Sequence, residues 1–311
     1  MRKFLSLLLC LILFAVPLTG CKEAETEDGG FTVVASIYPL YIALLNLTDG
    51  VPGVSAELMT APDTGCLHDY TLLPGDMKKL ETCELFVING AGMESFLDRV
   101  LENRPELTIL DASEGIVLLP AEEEHDHEED DEHDHEGHMH ENNAHVWTSV
   151  EKHCEQIQNI TEGLCLQNPE NEALYRENAE GYLAKLEELK GRMTQQLEDI
   201  KGRSIVTFHE AFSYFAEEFG LNIEAVIAEE PEEAPSPQRI RELVELVRAH
   251  DIQALFVEPQ YNSASAKVVA AETGCELLIL DPIVTGERDK AAYLTGMEQN
   301  AAVLRRALMK E

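Results

Sequence analysis

Short apolar runs alternate with amphipathic stretches along most of the chain, and they fall into two similar series. In the first series, the apolar runs predict strands and the stretches with helical spacing predict the helices between them. The predicted strands are 32–37, 55–59, 85–89 and 107–110, and the predicted helices are 38–47, 75–81 and 93–103. Strands that alternate with helices in this way predict a parallel sheet with helical crossovers.

The second series repeats this pattern nearer the C-terminus. Its predicted strands are 204–208, 223–228, 254–257 and 277–280, and its predicted helices are 211–219, 237–250, 263–273 and 293–310. Gly220 is the residue type expected just after a helix ends, and Ser236 is a typical N-cap for the helix that follows it. A second parallel α/β unit is therefore predicted.

Two helices are predicted between the two series. The first covers 149–167 and is broken by Asn168-Pro169, and the second covers 170–200. At 1.5 Å per residue the second helix would span roughly 45 Å, more than the diameter of a small domain. The predicted fold is α/β, with two parallel-sheet lobes joined by one long rigid helix. The predicted boundaries are 31–168 for the N-terminal lobe, 169–202 for the linking helix and 203–311 for the C-terminal lobe.

The N-terminus is typical of a targeting segment. Arg2 and Lys3 precede an apolar stretch that is too short to span a bilayer comfortably. Leu18-Thr19-Gly20-Cys21 resembles the lipobox of bacterial lipoproteins, in which the cysteine becomes the lipidated first residue of the mature protein. We expect a signal peptide at 1–20, lipidation at Cys21, a tether at 21–30 and an extracytoplasmic protein anchored to the cell membrane. The alternative is a plain secretory signal with an incidental cysteine.

The formal net charge of the 311-residue chain is -36, from 59 acidic and 23 basic residues. This balance opposes nucleic-acid binding, which needs basic patches, and a cation is the partner that such a field favours. Six of the eleven histidines lie among acidic residues in an acidic loop predicted at 121–143: His125, His127, His133, His135, His138 and His140. Its composition predicts a solvated, disordered segment, and its imidazoles predict an accessory role as a low-affinity metal collector.

Four further residues are candidate ligands for a single metal ion: His68, His145, His209 and Asp281. Each follows a predicted strand or lies in a loop between elements, and they come from both series. Because ligands bind outside the carboxyl ends of parallel strands, residues placed in this way can converge. Three imidazoles and a carboxylate suit tetrahedral zinc. Taken singly, each histidine could instead be a structural imidazole, and Asp281 could simply start a turn before Pro282.

Four stretches of the chain closely resemble one family of binding proteins. They are LHDYTLLPGDMKKL, AHVWTSV, TFHEAFSYFAEEFGL and FVEPQYNSASAKVVAAETG, and LDPI around Asp281 matches that family's C-terminal pattern. The family is that of the cluster A-I solute-binding lipoproteins of ABC importers, of the ZnuA and adhesin-competence lipoprotein type. The resemblance covers nearly the whole mature chain, with its ligand motifs in the same order.

This resemblance implies a function and a set of ligands. The histidines matching His68, His145 and His209 would bind the metal, and Asp281 would complete the set or leave the position to water. The chain would be a monomer that captures Zn(II) as its transported ligand and delivers it to a membrane permease driven by a cytoplasmic ATPase. It would bind no nucleic acid and would not be an enzyme.

Two departures from the family pattern concern the loops that carry the ligands. The family usually has Asp-Pro where this chain has Asn143-Ala144, so we expect the loop before His145 to be less rigid. The loop before His68 carries Cys66, a soft potential ligand two residues away. Five cysteines remain after Cys10 and Cys21, and their odd number implies at least one free thiol if no pair forms between chains.

Three alternative functions fit parts of the pattern. A manganese or other divalent-metal protein of the same importer class is one, but the nitrogen of His209 favours zinc where a carboxylate would suit the harder ion. A zinc hydrolase with three protein ligands and an open position is another. It lacks support because Glu210 follows His209 but the second histidine of an HExxH motif is absent. A surface adhesin would fit display on the membrane but has no motif of its own.

Overall fold

The computed structural model of the chain describes residues 30–67, 70–121, 142–227 and 235–309. The predicted signal peptide, almost all of the predicted tether and most of the acidic loop lie outside the described residues. Their boundaries, like those drawn between the lobes, stay predictions. From Phe31 onward the chain forms one compact unit.

The first lobe is built around a parallel sheet whose strands follow the predicted order of elements. Its elements are β1 (Phe31–Ala35), α1 (Tyr38–Leu47), β2 (Val54–Leu58), α2 (Pro74–Thr82), β3 (Leu85–Ile88), α3 (Leu97–Asn103) and β4 (Thr108–Asp111). The strands lie in the order β2-β1-β3-β4, and every neighbouring pair is parallel. The chain therefore extends the sheet first to one side of β1 and then to the other.

Two helices follow this sheet, α4 (Val150–Gln167) and α5 (Glu172–Leu197). Ser149 is the N-cap of α4, where its side chain accepts a hydrogen bond from the backbone N–H of Lys152. At 26 residues, α5 is the long helix that the sequence predicts. It packs against α1 and α4.

The second lobe repeats the topology of the first. Its elements are β5 (Ser204–Thr207), α6 (Ser213–Phe219), β6 (Asn222–Val226), α7 (Pro237–Ala249), β7 (Ala254–Val257), α8 (Ala264–Thr273), β8 (Glu276–Ile279) and α9 (Ala292–Leu308). The strands are parallel in the order β6-β5-β7-β8. Gly220 ends α6 with a left-handed φ of 71°, and the Ser236 side chain accepts a hydrogen bond from the N–H of Arg239. The predicted fold of two parallel-sheet lobes and a long helix is confirmed.

One hydrophobic core connects the two lobes. It extends from both faces of the first sheet through α4 and α5 to α6 and α9, and it includes one face of the second sheet. The other face of the second sheet packs with α7 and α8 in a separate cluster. Within the residues that the structure describes, no helix is long and apolar enough to cross a membrane.

The start of α3 differs from the prediction for a local reason. The helix was expected from residue 93, but it begins at Leu97. Glu94 is buried there, and its carboxyl accepts hydrogen bonds from Ser36 Oγ at 2.7 Å, Asn89 N at 2.8 Å and Gly90 N at 3.1 Å. These bonds fix residues 93–96 as a turn at the end of β3, so a pattern with helical spacing forms no helix in this part.

Candidate metal centre

Three soft or borderline donors come together where the loops of the two lobes meet. Cys66 lies in the loop after β2, His145 lies in the segment that leads into α4, and His209 follows β5. The Cys66 Sγ is 3.5 Å from the His145 Nε2. The imidazole rings of His145 and His209 lie edge to face, with their centroids 4.8 Å apart.

These three side chains form a group that could hold one metal ion. One ligand atom of each lies within 4.8 Å of the other two, and both histidines are buried. Tetrahedral zinc with Zn–N of about 2.0–2.1 Å and Zn–S of about 2.3 Å separates its ligand atoms by about 3.4–3.6 Å. A shift of roughly 1 Å in the widest pair would therefore bring the group to zinc geometry.

The orientation of His145 is set by Asn143. The Asn143 Oδ1 accepts a hydrogen bond from the backbone N–H of His145 at 2.9 Å and lies 3.0 Å from its Nδ1. An Nδ1–H that donates to this oxygen makes Nε2 an acceptor, and Nε2 lies 3.5 Å from the Cys66 sulfur. The Asn143 amide also donates to the backbone oxygen of Glu210 at 3.0 Å, which joins this loop to the one after β5. The asparagine thus orients the imidazole and joins the two loops.

Buried polar contacts fix the rest of the His145 segment. Asn89, at the end of the central strand β3, donates through Nδ2 to the backbone oxygen of Ala144 at 2.8 Å. Trp147 is fully buried, its ring lies 5.3 Å from that of His145, and its Nε1 donates to the Pro282 oxygen at 2.7 Å. The second contact reaches the loop after β8, so the segment is bonded to both lobes.

His209 is positioned by the switch point of the second sheet. β5 and β7 are the two central strands. The chain continues from β5 to β6 on one side of the sheet and from β7 to β8 on the other side. Open α/β sheets bind ligands at the carboxyl ends of two strands related in this way. His209 follows β5 and is 3% exposed, and Glu258 follows β7 directly and is also 3% exposed. The Glu258 Oε1 lies 3.5 Å from the His209 Nδ1, and the Gln260 Nε2 donates to its Oε2 at 2.6 Å. A ring nitrogen of His209 lies within 4.8 Å of ligand atoms of Cys66 and His145.

The Cys66 thiol lies beside groups from the second lobe. Tyr261 is one of these groups, and its side chain interacts with the thiol. Burial raises the pKa of the Cys66 thiol, and the neighbouring Glu258 raises it further. Without a metal, both effects favour the neutral thiol over the charged thiolate. A cation bound at this position would favour the thiolate instead.

Comparison with known proteins identifies the family. The family model described as ZnuA, zinc-uptake complex component A, periplasmic, matches residues 33–307. The chain belongs to this family. The ZnuA family's high-affinity zinc uptake protein from Haemophilus ducreyi is 33% identical over 279 residues, which are 86% of this chain and 89% of that protein.

Two streptococcal proteins extend the comparison. The zinc-binding lipoprotein AdcA of Streptococcus pneumoniae strain R6 is 30% identical over 99% of this chain, but the chain spans only 62% of AdcA. The structure of a Zn(II)-bound mutant variant of AdcAII from Streptococcus pneumoniae has a TM-score of 0.76 at 26% identity, covering 90% of this chain and 98% of that one. The resemblance to cluster A-I binding proteins is confirmed.

The family's expected carboxylate, Asp281, lies in the loop after β8. Its Oδ1 accepts a hydrogen bond from the backbone N–H of Ile283 at 2.7 Å, and its backbone exchanges two hydrogen bonds with the Asn300 side chain. Burial raises the pKa of the Asp281 carboxyl, the bond from Ile283 opposes this, and Glu258 adds to the rise. Among the described residues, the group with metal-ligand spacing contains Cys66, His145 and His209 without Asp281, so its role as a ligand stays a prediction.

Several predicted functional residues lie outside the described residues. They are His68, Cys21 and the six histidines of the acidic loop, so their roles also stay predictions. Two other histidines have contacts away from the site. His153 is buried against the ring of Tyr293 with centroids 4.3 Å apart, and His250 has its Nδ1 3.1 Å from Glu224.

Sequence reasoning missed Glu258, although a signal was present. The residue comes immediately after the apolar run 254–257, just as His209 comes two residues after β5. The rule that placed the histidines at the carboxyl ends of strands applies equally to Glu258.

Proposed function

We propose that this chain captures Zn(II) outside the cytoplasm and delivers it to an ABC-type membrane permease driven by a cytoplasmic ATPase. The observation that carries this proposal is the convergence of His145 and His209 from opposite lobes, both buried, with their rings 4.8 Å apart. The names of the relatives, which describe zinc binding and zinc uptake, support the same metal.

The proposed ligands include the two described histidines together with His68 and Asp281. Leu67, the last described residue before His68, is fully buried beside the site. Asp281 is hydrogen-bonded to Asn300 and Ile283. The next residue, Pro282, accepts a hydrogen bond from Trp147 through its backbone oxygen. The loop that carries Asp281 thus contacts the His145 segment through Trp147.

Zinc is favoured over manganese because the described donors are nitrogen and sulfur. Manganese prefers carboxylate, carbonyl and water oxygens, whereas imidazole and thiolate suit zinc. Glu258 is the nearest acid to His209, but it lies against Nδ1 and outside the metal-spaced group. The site thus presents its softer atoms to the ion.

We also propose that the protein performs no chemistry on the metal. In zinc hydrolases a carboxylate acts as general base on a metal-bound water at an open coordination position. Here the Glu258 carboxyl lies 3.5 Å from the His209 Nδ1, accepts a hydrogen bond from Gln260 and is outside the metal-spaced group. Lipidation at Cys21 would hold the protein at the outer face of the membrane, and the acidic histidine loop would collect zinc weakly near the tight site.

The proposal is tested by metal analysis and competition calorimetry on the purified full chain with Zn, Mn, Cu and Ni. We expect one tight zinc site. His209→Ala should abolish tight binding, because it removes the second lobe's imidazole. His250→Ala is the matched control, since His250 lies on α7's C-terminal cap beside Glu224. Tight zinc binding that survives His209→Ala would contradict the site, and hydrolytic turnover by the zinc-loaded protein would contradict the transport role.

A further inference from the structure

Cys66 lies at the same place as the two histidines, although its residue type departs from an all-imidazole and carboxylate site. The chain reaches it through Gly65, which has a left-handed φ of 83° that favours glycine. The next residue, Leu67, is fully buried in the core. The backbone is therefore held on both sides of Cys66, and its side chain is directed at His145 by the fold.

The distances around the sulfur agree with shared coordination. The separation of 3.5 Å between Cys66 Sγ and His145 Nε2 is close to the ~3.6 Å that tetrahedral geometry gives for a sulfur and a nitrogen on one zinc ion. The nitrogen that faces the sulfur is Nε2, opposite the Nδ1 that contacts Asn143. Once the thiol has lost its proton, the sulfur and this nitrogen are spaced as two ligands of one ion.

The other cysteines offer a contrast within the same chain. All five described cysteines are free thiols. Cys83 and Cys275 donate through their sulfurs to backbone oxygens of Leu80 and Ile252, as small structural thiols do. The Cys66 sulfur instead lies 3.5 Å from the His145 Nε2 and within 4.8 Å of a ring nitrogen of His209. It is thus grouped with side chains that can bind a metal, whereas Cys83 and Cys275 contact backbone carbonyls.

We propose that Cys66 is a direct ligand of the transported zinc, so that the ion is held by a thiolate together with His145 and His209. This inference rests on the proposed function and names a donor within the same site. On binding, the thiol gives its proton to solvent and the sulfur forms a bond to the ion.

A thiolate ligand has a consequence for selectivity. Sulfur is a soft donor that suits zinc and poorly suits manganese. Cys66→Ser preserves the size of the side chain and replaces the soft atom with a hard one. We therefore expect this variant to bind zinc more weakly and to have a lower ratio of zinc to manganese affinity. Loss of an outer-shell partner costs about 10–100-fold in metal affinity, so loss of this direct ligand should cost at least ~10-fold.

The experiment uses the full chain loaded with one equivalent of Co(II) or Zn(II). Cobalt should give a near-ultraviolet thiolate-to-metal charge-transfer band, and zinc X-ray absorption should show one sulfur at about 2.3 Å. Both signals should vanish in Cys66→Ser and persist in Cys275→Ser, which alters a thiol of similar exposure outside the site. Cobalt d–d bands in Cys66→Ser report whether that variant still holds the metal.

The outcomes separate this inference from the proposed function. Tight zinc binding without any sulfur signal in the wild-type chain would overturn the role of Cys66 and leave zinc capture intact. A sulfur signal that persists in Cys66→Ser would assign the ligand to another cysteine and would also overturn it. Failure of the wild-type chain to bind zinc tightly would remove the proposed function itself.

Discussion

The contact between Glu258 and His209 predicts a large effect on zinc from a residue that need not touch the ion. The Glu258 Oε1 lies 3.5 Å from the Nδ1 of His209, which is a member of the metal-spaced group. Carboxylates that accept a hydrogen bond from a metal-bound imidazole fix its tautomer and raise its basicity. Glu258→Gln keeps the shape of the side chain but replaces a strong acceptor with a weaker one.

The expected size of this effect follows from comparable outer-shell partners. Their loss costs about 10–100-fold in metal affinity, or roughly 1.4–2.7 kcal/mol of binding free energy. The fold should change much less, because the amide oxygen of glutamine can still accept the hydrogen bond that Gln260 donates. A change of about 1 kcal/mol in stability would move the melting temperature by ~2–4 °C in a domain of 150–250 residues, and less in a larger one.

The assay pairs zinc calorimetry with thermal unfolding of the metal-free protein. Glu258→Gln should weaken zinc binding with little change in the metal-free melting temperature. Glu245→Gln, the same substitution at an exposed position of α7, is the matched control and should change neither. Unchanged zinc affinity in Glu258→Gln would refute the reasoning. A melting temperature that falls sharply would show that the carboxyl supports the fold instead.

Three further predictions concern selectivity, acid stability and the acidic loop. His209→Glu should lower the ratio of zinc to manganese affinity, because a hard oxygen replaces a borderline nitrogen, and competition calorimetry that finds the wild-type ratio would count against this. Burial lowers the pKa of His153 to about 4. The unfolded chain then binds the proton more readily, so the free energy of unfolding should fall by about 3 kcal/mol between pH 6.5 and 4 from this group. His153→Phe keeps a ring against Tyr293, and its free energy of unfolding, measured with urea, should fall less over this pH range than that of the wild-type chain. The same pH dependence in both proteins would contradict this role of His153. Deleting residues 122–141 should remove weak zinc sites and leave one tight site by calorimetry, so loss of the tight site would contradict an accessory role. It should also slow uptake only when zinc is scarce.

The fold could be predicted from the sequence because its elements carry strong and repeated signals. The apolar run 254–257 coincides with β7, and the helix predicted at 38–47 coincides with α1. Gly220 and Ser236 end and begin helices as their residue types predict. Where the prediction failed, at the start of α3, a buried side chain bound three donors that the local pattern does not reveal.

The candidate site could be predicted only in part, for a physical reason. Position at the end of a strand identified His209, and a family motif identified His145, because topology places such residues on one edge. The roles of Asn143 and Cys66 depend on distances of 3.0–3.5 Å between side chains of different loops. The same sequence permits several such arrangements, and packing selects one. The side chain of Asn143, where the family usually has aspartate, orients the imidazole.

The connection between the lobes limits how zinc can be captured. The ligand atoms already lie within 4.8 Å of one another, so a rearrangement of roughly 1 Å suffices for tetrahedral zinc. A wide hinge opening would have to separate the long helix from its neighbours. Buried side chains along α5, among them Leu186, Leu189, Met193 and Leu197, belong to the core that reaches both lobes. Exposing even two of them would cost about 3–6 kcal/mol, several times the thermal energy. We therefore expect entry and release of zinc through movement of the ligand loops, with the two sheets and α5 staying in place.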